Sequence, residues 1–207
     1  MSSSSVSIRN CRTIIMDIIF DLGGVLCTFD WEAFIKIMQA SGNAQIDPTK
    51  LSALQVELNK GAITIPEFHV AVTAMAGSSM PYEEFIQYLS QYHRNPGVET
   101  VVKTIPKNHN LILLSNTNQI HFNNIFKRLP VAPRFDYYYL SYRLGLAKPD
   151  PEIFGLYKED FPNTGKTLFI DDAEENIIAA NKAGMTTHHY KTADALRAFL
   201  QSQGVLT

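Results

Sequence analysis

The feature that most constrains this chain is an apolar run, residues 14–20, that ends in an acid, Asp21. The length and β-branched content of the run predict a buried strand of a parallel sheet. Two glycines, Gly23 and Gly24, lie just beyond the acid. Open α/β sheets bind ligands at the carboxyl ends of their strands, and glycine lets the backbone turn sharply and approach a ligand closely. We therefore expect Asp21 to lie in a functional site.

Composition limits the classes of protein to which the chain can belong. Of its 207 residues, 45% are hydrophobic and 18% are charged, which is ordinary for a globular protein with a sizeable core. The net charge of -2 gives no basic surface for nucleic acid, and no stretch approaches the roughly 18 apolar residues of a membrane span. The two cysteines are too few for a disulfide framework and lack the spacing of a zinc site. We expect one domain, with or without a small insertion, in the reducing cytoplasm.

The N-terminal residues 1–13 are rich in serine and carry two arginines. They faintly resemble a transit peptide but are too short and not clearly amphipathic, so we expect a disordered tail. Asp17 interrupts the apolar run that follows. The first strand is therefore expected to begin at Ile18, or to carry Asp17 at an exposed start.

Residues 30–96 have a helical pattern with no clear strand. The expected helices span residues 31–41, 48–61, 64–77 and 81–94, and they are opened by Asp30, by Asp47 before a proline, by a capping box at Thr64 and Glu67, and by Pro81. Four short amphipathic helices form a compact bundle. Their place directly after the first strand predicts a cap, inserted at residues 30–96, that covers Asp21.

From residue 97 onward helices alternate with strands. Strands are expected at residues 111–114, 137–140, 167–170 and 186–190, and helices at residues 98–107, 119–128 and 193–203. A further helix is expected to begin at Asp150 and Pro151, and another to run from beyond Asp172 to Lys182. Strands separated by helices imply right-handed crossovers and a parallel sheet. The chain is thus predicted to be an α/β protein with a core formed by residues 14–29 and 97–207.

Polar side chains follow three of these strands. Asp21, Ser115 and the pair Asp171 and Asp172 each come directly after a strand, and Lys148 follows a fourth strand by a short loop. The ends of parallel strands share one edge of the sheet, so these residues converge. Clustered carboxylates need a cation, and oxygen ligands favour Mg²⁺ before Ca²⁺. Such a set holds a small multiply charged anion such as phosphate, and one carboxylate is free to attack phosphorus and form an acyl phosphate.

Four segments resemble, in order, the four motifs of the haloacid dehalogenase-like (HAD) hydrolase superfamily: FDLGGVL, LLSNTN, LGLAKPDPEIF and FIDDAEENIIAA. The resemblance covers about residues 14–190. It implies a Rossmann-like core and places the chain in the phosphatase branch with a helical cap. Within that branch the chain is most similar to the alpha-D-glucose-1-phosphate phosphatase group.

The resemblance also implies a magnesium site. Asp21 would be the nucleophile and a Mg²⁺ ligand, and Gly23 would give its backbone carbonyl to the metal. Asp172 would be the acidic ligand of the fourth motif, with Asp171 second. Asn176 would face the acidic pair from the following helix and support it.

The same resemblance implies a phosphate-binding set. Ser115 and Asn116 would bind the transferring phosphoryl group. Lys148 would bind it too, neutralise the phosphoaspartate and orient Asp21. A small phosphorylated metabolite is therefore the expected partner, and a monomer is favoured, with no membrane or nucleic acid involved.

The chain departs from the family pattern at Gly23. Many phosphatases of the superfamily carry at this position a second Asp, which protonates the leaving group and then activates water. Either another group substitutes, with Asp30, His69 and His93 as candidates, or the leaving group needs little protonation. The second alternative favours a sugar 1-phosphate or an acyl phosphate.

Two other functions stay open. A metal-free 2-haloacid dehalogenase would use the same nucleophile on carbon, and the pair Asp171 and Asp172 argues against it. A non-catalytic binding or regulatory protein is supported by Gly23, and the presence of Asp21 and Lys148 together argues against it. We expect a structural role for the remaining notable residues: Cys27, Trp31, Phe34, Phe85, His121, His188 and His189.

Overall fold

A five-stranded parallel sheet forms the centre of the computed structural model, which describes residues 16–162 and 165–207. The strands within these residues are β1 (Met16–Phe20), β2 (Cys27–Phe29), β3 (Tyr92–Arg94), β4 (Asn110–Ser115), β5 (Tyr137–Leu140), β6 (Lys166–Asp171) and β7 (Thr186–His189). The sheet order is β5-β4-β1-β6-β7, and every neighbouring pair is parallel. The predicted α/β class is confirmed. The predicted tail, residues 1–13, lies outside the described residues.

The central strand β1 is buried along its whole length. The expectation that Asp17 lies at an exposed start, or that the strand begins at Ile18, is wrong. Asp17 is buried, and its carboxylate accepts hydrogen bonds from Asn110 Nδ2 and from the hydroxyl of Tyr157, both at 2.7 Å. These donors lie 93 and 140 residues away in sequence, so no local pattern indicates them.

Four helices lie between β2 and β3: α1 (Trp31–Ala40), α2 (Pro48–Asn59), α3 (Ile65–Ala76) and α4 (Tyr82–Leu89). We call them the cap helices. Their predicted starts are confirmed: Asp30 Oδ1 accepts a bond of 2.8 Å from the amide of Ala33, and Thr64 forms a capping box with Glu67. Their buried side chains form one hydrophobic cluster that includes Phe34 and Phe85. This cluster lets the cap helices pack on one another.

The fourth helix is shorter than predicted, because α4 ends at Leu89. The strand β3 follows it and pairs antiparallel with β2, so the expectation of no strand in this region is wrong. A three-residue strand is too short to show periodicity, and its pairing partner precedes all the cap helices. Both connections between the cap helices and the sheet therefore run through this two-stranded ribbon.

Helices cover both faces of the sheet: α5 (Pro96–Thr104), α6 (Ser141–Leu144), α7 (Pro151–Asp160), α8 (Glu174–Lys182) and α9 (Ala193–Ser202). Side chains alternate along β1, so Phe20 packs in a cluster with residues of α5 and α9, whereas Ile19 packs in a cluster with α7 and α8. The predicted helix at residues 119–128 is instead π-helical over His121–Ile125 and 3₁₀-helical over Phe126–Arg128. Within the described residues, no helix combines the length and apolarity needed to cross a bilayer.

Candidate active site

Three strand ends bring the predicted acids and hydroxyl together. Asp21 comes directly after β1, Ser115 ends β4 and Asp171 ends β6. Because β4 and β6 are the two neighbours of β1, these ends are adjacent on one edge of the sheet. The backbone amide of Asp21 continues the ladder by donating to the carbonyl of Ile170 at 2.9 Å.

Lys148 reaches this edge from the loop after α6. Its Nζ donates to Asp21 Oδ1 at 2.7 Å and to Asp171 Oδ2 at 2.6 Å. The lysine is only 4% exposed, and burial by itself works against its charge. The two carboxylates outweigh this effect and raise the pKa of Lys148, so the ammonium stays charged between them.

The side chain of Asn116 has a contact that the sequence did not predict. Asn116 Oδ1 accepts the amide of Lys148 at 2.8 Å, and Asn116 Nδ2 donates to the carbonyl of Lys148 at 2.7 Å. Both ends of the side-chain amide are therefore used to hold the backbone of the lysine. Asn116 thus positions Lys148, and its binding of a phosphoryl group stays a prediction from the sequence.

Sequence reasoning missed Ser141, although it follows a strand in the same way as the predicted site residues. Its hydroxyl accepts the amide of Thr117 at 2.8 Å and donates to the carbonyl of Asn59 at the end of α2. Asn59 Oδ1 also accepts Asn118 Nδ2 at 3.4 Å. These bonds join the loop after Ser115 to the cap helices. Ser115 itself is buried.

The acids form a compact cluster. One carboxylate oxygen from each of Asp21, Asp171 and Asp172 lies within 4.8 Å of the others. Asp171 is buried, and its Oδ1 accepts Ala173 N at 2.9 Å and Asn176 Nδ2 at 3.0 Å. Asn176 thus faces the acidic pair as predicted, and Asp172 is the exposed member of the cluster.

Two glycines border the acids. Gly24 has a φ of +73°, and a Cβ added to it would lie 2.0 Å from Asp172 Oδ2, so the carboxylate rests directly on the glycine. A Cβ added to Gly23 would lie 3.9 Å from Asp21 Oδ2. Only glycine at position 24 leaves room for Asp172 where it stands.

The electrostatics of the cluster favour a divalent cation. Burial, opposed by Lys148 and reinforced by Asp171 and Asp172, raises the pKa of Asp21 to about 7. Burial, followed by the charge of Asp171, also raises the pKa of Asp172. Three carboxylates beside one ammonium leave two excess negative charges when all are ionised. Because the donors are oxygens, Mg²⁺ fits the cluster.

Three of the residues expected to be structural, Cys27, His121 and His188, have surroundings that fit this role. The Cys27 thiol is buried and donates to the carbonyl of Leu22 at 3.7 Å, and burial raises the pKa of Cys27 to about 12. Burial lowers the pKa of His121 to about 4. The ring of His188 stacks on Phe199 with centroids 4.7 Å apart.

Two of the three candidates for the missing acid are used by the fold. Asp30 caps α1, and His69 Nε2 bonds to the carbonyl of Met80 at 2.8 Å within the cap helices. His93 lies in β3 opposite Thr28. The described contacts thus assign neither Asp30 nor His69 to proton transfer at Asp21.

Residues 16–184 match the haloacid dehalogenase-like hydrolase family. The chain belongs to this family. The resemblance carried by the four motifs is therefore confirmed, and the clustered strand ends are where the structure places those motifs.

Relatives of this HAD hydrolase include enzymes with stated ligands. A D-ribitol-5-phosphate phosphatase from Bacteroides thetaiotaomicron is 30% identical over 189 residues, which cover 84% of this chain and 91% of that protein. A HAD family enzyme from Bacteroides thetaiotaomicron, solved with magnesium and inorganic phosphate, has a TM-score of 0.73 at 29% identity, with coverage of 86% of this chain and 95% of that chain. L-2-haloacid dehalogenase from Xanthobacter autotrophicus has a TM-score of 0.61 at 14% identity, with coverage of 94% and 85%, and shares the fold alone.

Proposed function

We propose that this HAD hydrolase is a Mg²⁺-dependent phosphatase that cleaves small phosphoesters through an aspartyl-phosphate intermediate. The observation that carries the proposal is the buried Lys148, bonded to both Asp21 and Asp171 beside Asp172. The comparisons support it, because a D-ribitol-5-phosphate phosphatase is similar in sequence and a HAD family enzyme solved with magnesium and inorganic phosphate is similar in structure.

The chain's own residues divide the work in this proposal. A carboxylate oxygen of Asp21 attacks phosphorus, the bond to the leaving oxygen breaks, and water later hydrolyses the phosphoaspartate. Lys148 orients Asp21 and neutralises the phosphoryl charge, while the Ser115 hydroxyl and the backbone of the loop after it bind phosphoryl oxygens. Asp21, Asp171, Asp172 and the carbonyl of Gly23 would hold Mg²⁺, which supplies further positive charge when bound.

The substrate we propose is a small sugar or polyol phosphate, with glucose 1-phosphate and D-ribitol 5-phosphate as candidates. A cavity of about 420 Å³ lies between cap helices α2 to α4 and the segment at residues 118–124. Its lining combines Gln119, Asn123 and Asn124 with apolar residues such as Leu58 and Ile63 and, among the described residues, includes no charged one. An uncharged lining with both polar and apolar residues suits the hydroxyl groups and the carbon skeleton of such a leaving group. We also propose that residues 30–96 are a cap on the core. Cytoplasmic location and a monomeric state remain predictions from the sequence.

The test is phosphate release from sugar phosphates, polyol phosphates and acyl phosphates, with Mg²⁺ and with EDTA. We expect release that requires the metal and falls to background in Asp21→Asn. Asp47→Asn is the matched control, because it makes the same chemical change at the N-cap of α2, where Asn caps as well as Asp.

Two outcomes would replace the proposal. If the folded protein binds Mg²⁺ and releases phosphate from no ester, it is a binding or regulatory protein. If it instead releases halide from a 2-haloacid without metal, it is a dehalogenase, which the acidic pair Asp171 and Asp172 argues against.

A further inference from the structure

An aromatic ring lies against the position where the proton donor is missing. A Cβ added to Gly23 would lie 3.3 Å from Phe29 Cε2 and 3.8 Å from Phe29 Cδ2. The same Cβ would lie 3.9 Å from Asp21 Oδ2, so a side chain at position 23 would border the proposed nucleophile. A longer side chain at position 23 would have to displace the ring of Phe29 to reach past it.

The ring is held from behind by a second ring. Phe29 stacks on His121 with centroids 4.1 Å apart and an interplanar angle of 13°. His121 Nε2 bonds to the carbonyl of Leu89 at 3.1 Å, and its Nδ1 lies 3.2 Å from Asn118 Nδ2, so both ring nitrogens have partners. The ring of Trp31 lies in an edge-type contact with the same imidazole, with centroids 6.1 Å apart. Phe29 is thus fixed between position 23 and a buried, hydrogen-bonded ring.

The remaining candidate donor faces away from this stack. Phe29 is paired with Tyr92 across the ribbon, and Thr28 is paired with His93. Side chains of successive strand residues point to opposite faces, so His93 lies on the face of the ribbon opposite to Phe29.

We propose that Phe29 is a specificity-determining residue that closes the general-acid position beside Asp21, so that the leaving group departs without a protein proton donor. The inference rests on the proposed phosphatase function and narrows its substrates. As the bond from Asp21 to phosphorus forms, the bond from phosphorus to the leaving oxygen breaks. That oxygen keeps the electron pair and takes its proton from water. Esters with acidic leaving groups, such as glycosyl and acyl phosphates, are then preferred over esters of primary alcohols. Of the two candidate substrates, glucose 1-phosphate is therefore expected to be preferred over D-ribitol 5-phosphate, which is an ester of a primary alcohol.

The experiment measures kcat/KM with Mg²⁺ for an activated ester, p-nitrophenyl phosphate, and for a primary alkyl ester, glycerol 3-phosphate. The readout is the ratio of the two values, which a merely structural role of Phe29 would not move. Since a general acid contributes about 100-fold or more, we expect the parent protein to favour the activated ester by about that factor. Similar values for the two esters would overturn the inference.

The variants distinguish the effect of the Phe29 ring from the effect of the missing carboxyl group. Gly23→Asp alone is expected to leave the ratio unchanged, because Phe29 fills the space. In Gly23→Asp with Phe29→Leu, which removes Cε2, the ratio should fall at least about tenfold below that of Phe29→Leu. Phe34→Leu is the matched control, because it removes a ring from the cap-helix cluster. Combining it with Gly23→Asp should leave the ratio of the two kcat/KM values unchanged. A fall in the ratio for Gly23→Asp alone would contradict the proposal.

A second measurement needs no activity and serves if the variants that carry Gly23→Asp do not fold. Gly23→Ala should lower Tm more in the parent than in Phe29→Leu, because the added Cβ meets Cε2 only in the parent. Equal decreases in Tm would overturn the proposal. Failure of the proposed function is distinct from either result, since the parent would then hydrolyse not even p-nitrophenyl phosphate.

Discussion

Replacing Gly24 by alanine should weaken Mg²⁺ binding without unfolding the protein. The added Cβ would lie 2.0 Å from Asp172 Oδ2 and 2.2 Å from Cγ, whereas ordinary contact begins at 3.4 Å. The carboxylate must therefore move by about 1.4 Å, the difference between 3.4 and 2.0 Å. A metal site tolerates errors of about 0.2 Å in its ligand distances. We expect the Kd for Mg²⁺ to rise about 10- to 100-fold, the range found when the support of a metal ligand is lost.

Gly204→Ala is the matched control for this change. Gly204 has a φ of +77°, close to the +73° of Gly24, but a Cβ added there has no neighbour within 4 Å among the described residues. Both variants place a side chain in the left-handed region, so each should lose about 1–2 kcal/mol of the free energy of unfolding. Urea unfolding checks this equality, and calorimetric titration with Mg²⁺ measures the Kd of each variant. Equal affinities for Mg²⁺ in the two variants would refute the claim that Gly24 seats Asp172.

Three further predictions concern residues around the sheet. Asn116→Ala removes both bonds to the backbone of Lys148, so kcat should fall about 10- to 100-fold with less effect on KM in steady-state kinetics. Asp17→Ala removes the acceptor of hydrogen bonds from half-buried Asn110 and buried Tyr157, about 13 Å from Asp21, so urea unfolding should show a loss of about 2–4 kcal/mol while kcat/KM is unchanged. Burial lowers the pKa of His121 from 6.5 to about 4, so between these values the unfolded chain binds a proton that the folded chain does not. The free energy of unfolding should therefore fall as pH drops from 6.5 to 4, by about 3 kcal/mol from this group, and His121→Gln should remove that part of the dependence in urea unfolding.

Local contacts account for what could be predicted. The bond from the amide of Ala33 to Asp30 and the capping box of Thr64 and Glu67 each join residues three positions apart. Such contacts depend only on residues that are close together in the sequence. The starts of the cap helices could therefore be predicted, and they are confirmed. The strand ends were also predictable, because a long apolar run followed by an acid has few alternatives in an α/β protein.

The errors fall where a contact spans a long stretch of chain. Asp17 interrupts an apolar run, and its partners Asn110 and Tyr157 come from distant elements. The strand β3 exists because β2 is present to receive its hydrogen bonds. Periodicity, which needs several residues of one element, has nothing to detect in either case.

The sequence by itself determined the family, the parallel sheet and the set of chemical groups at its edge. Only the tertiary structure decided how those groups are used. Asn116 holds Lys148 across 32 residues, and the ring of Phe29 lies against Gly23 while stacked on His121. The physical reason is that the chemical type of a side chain determines which bonds it can make. Which residue it bonds to depends on packing, because packing brings residues from separate elements within reach of one another.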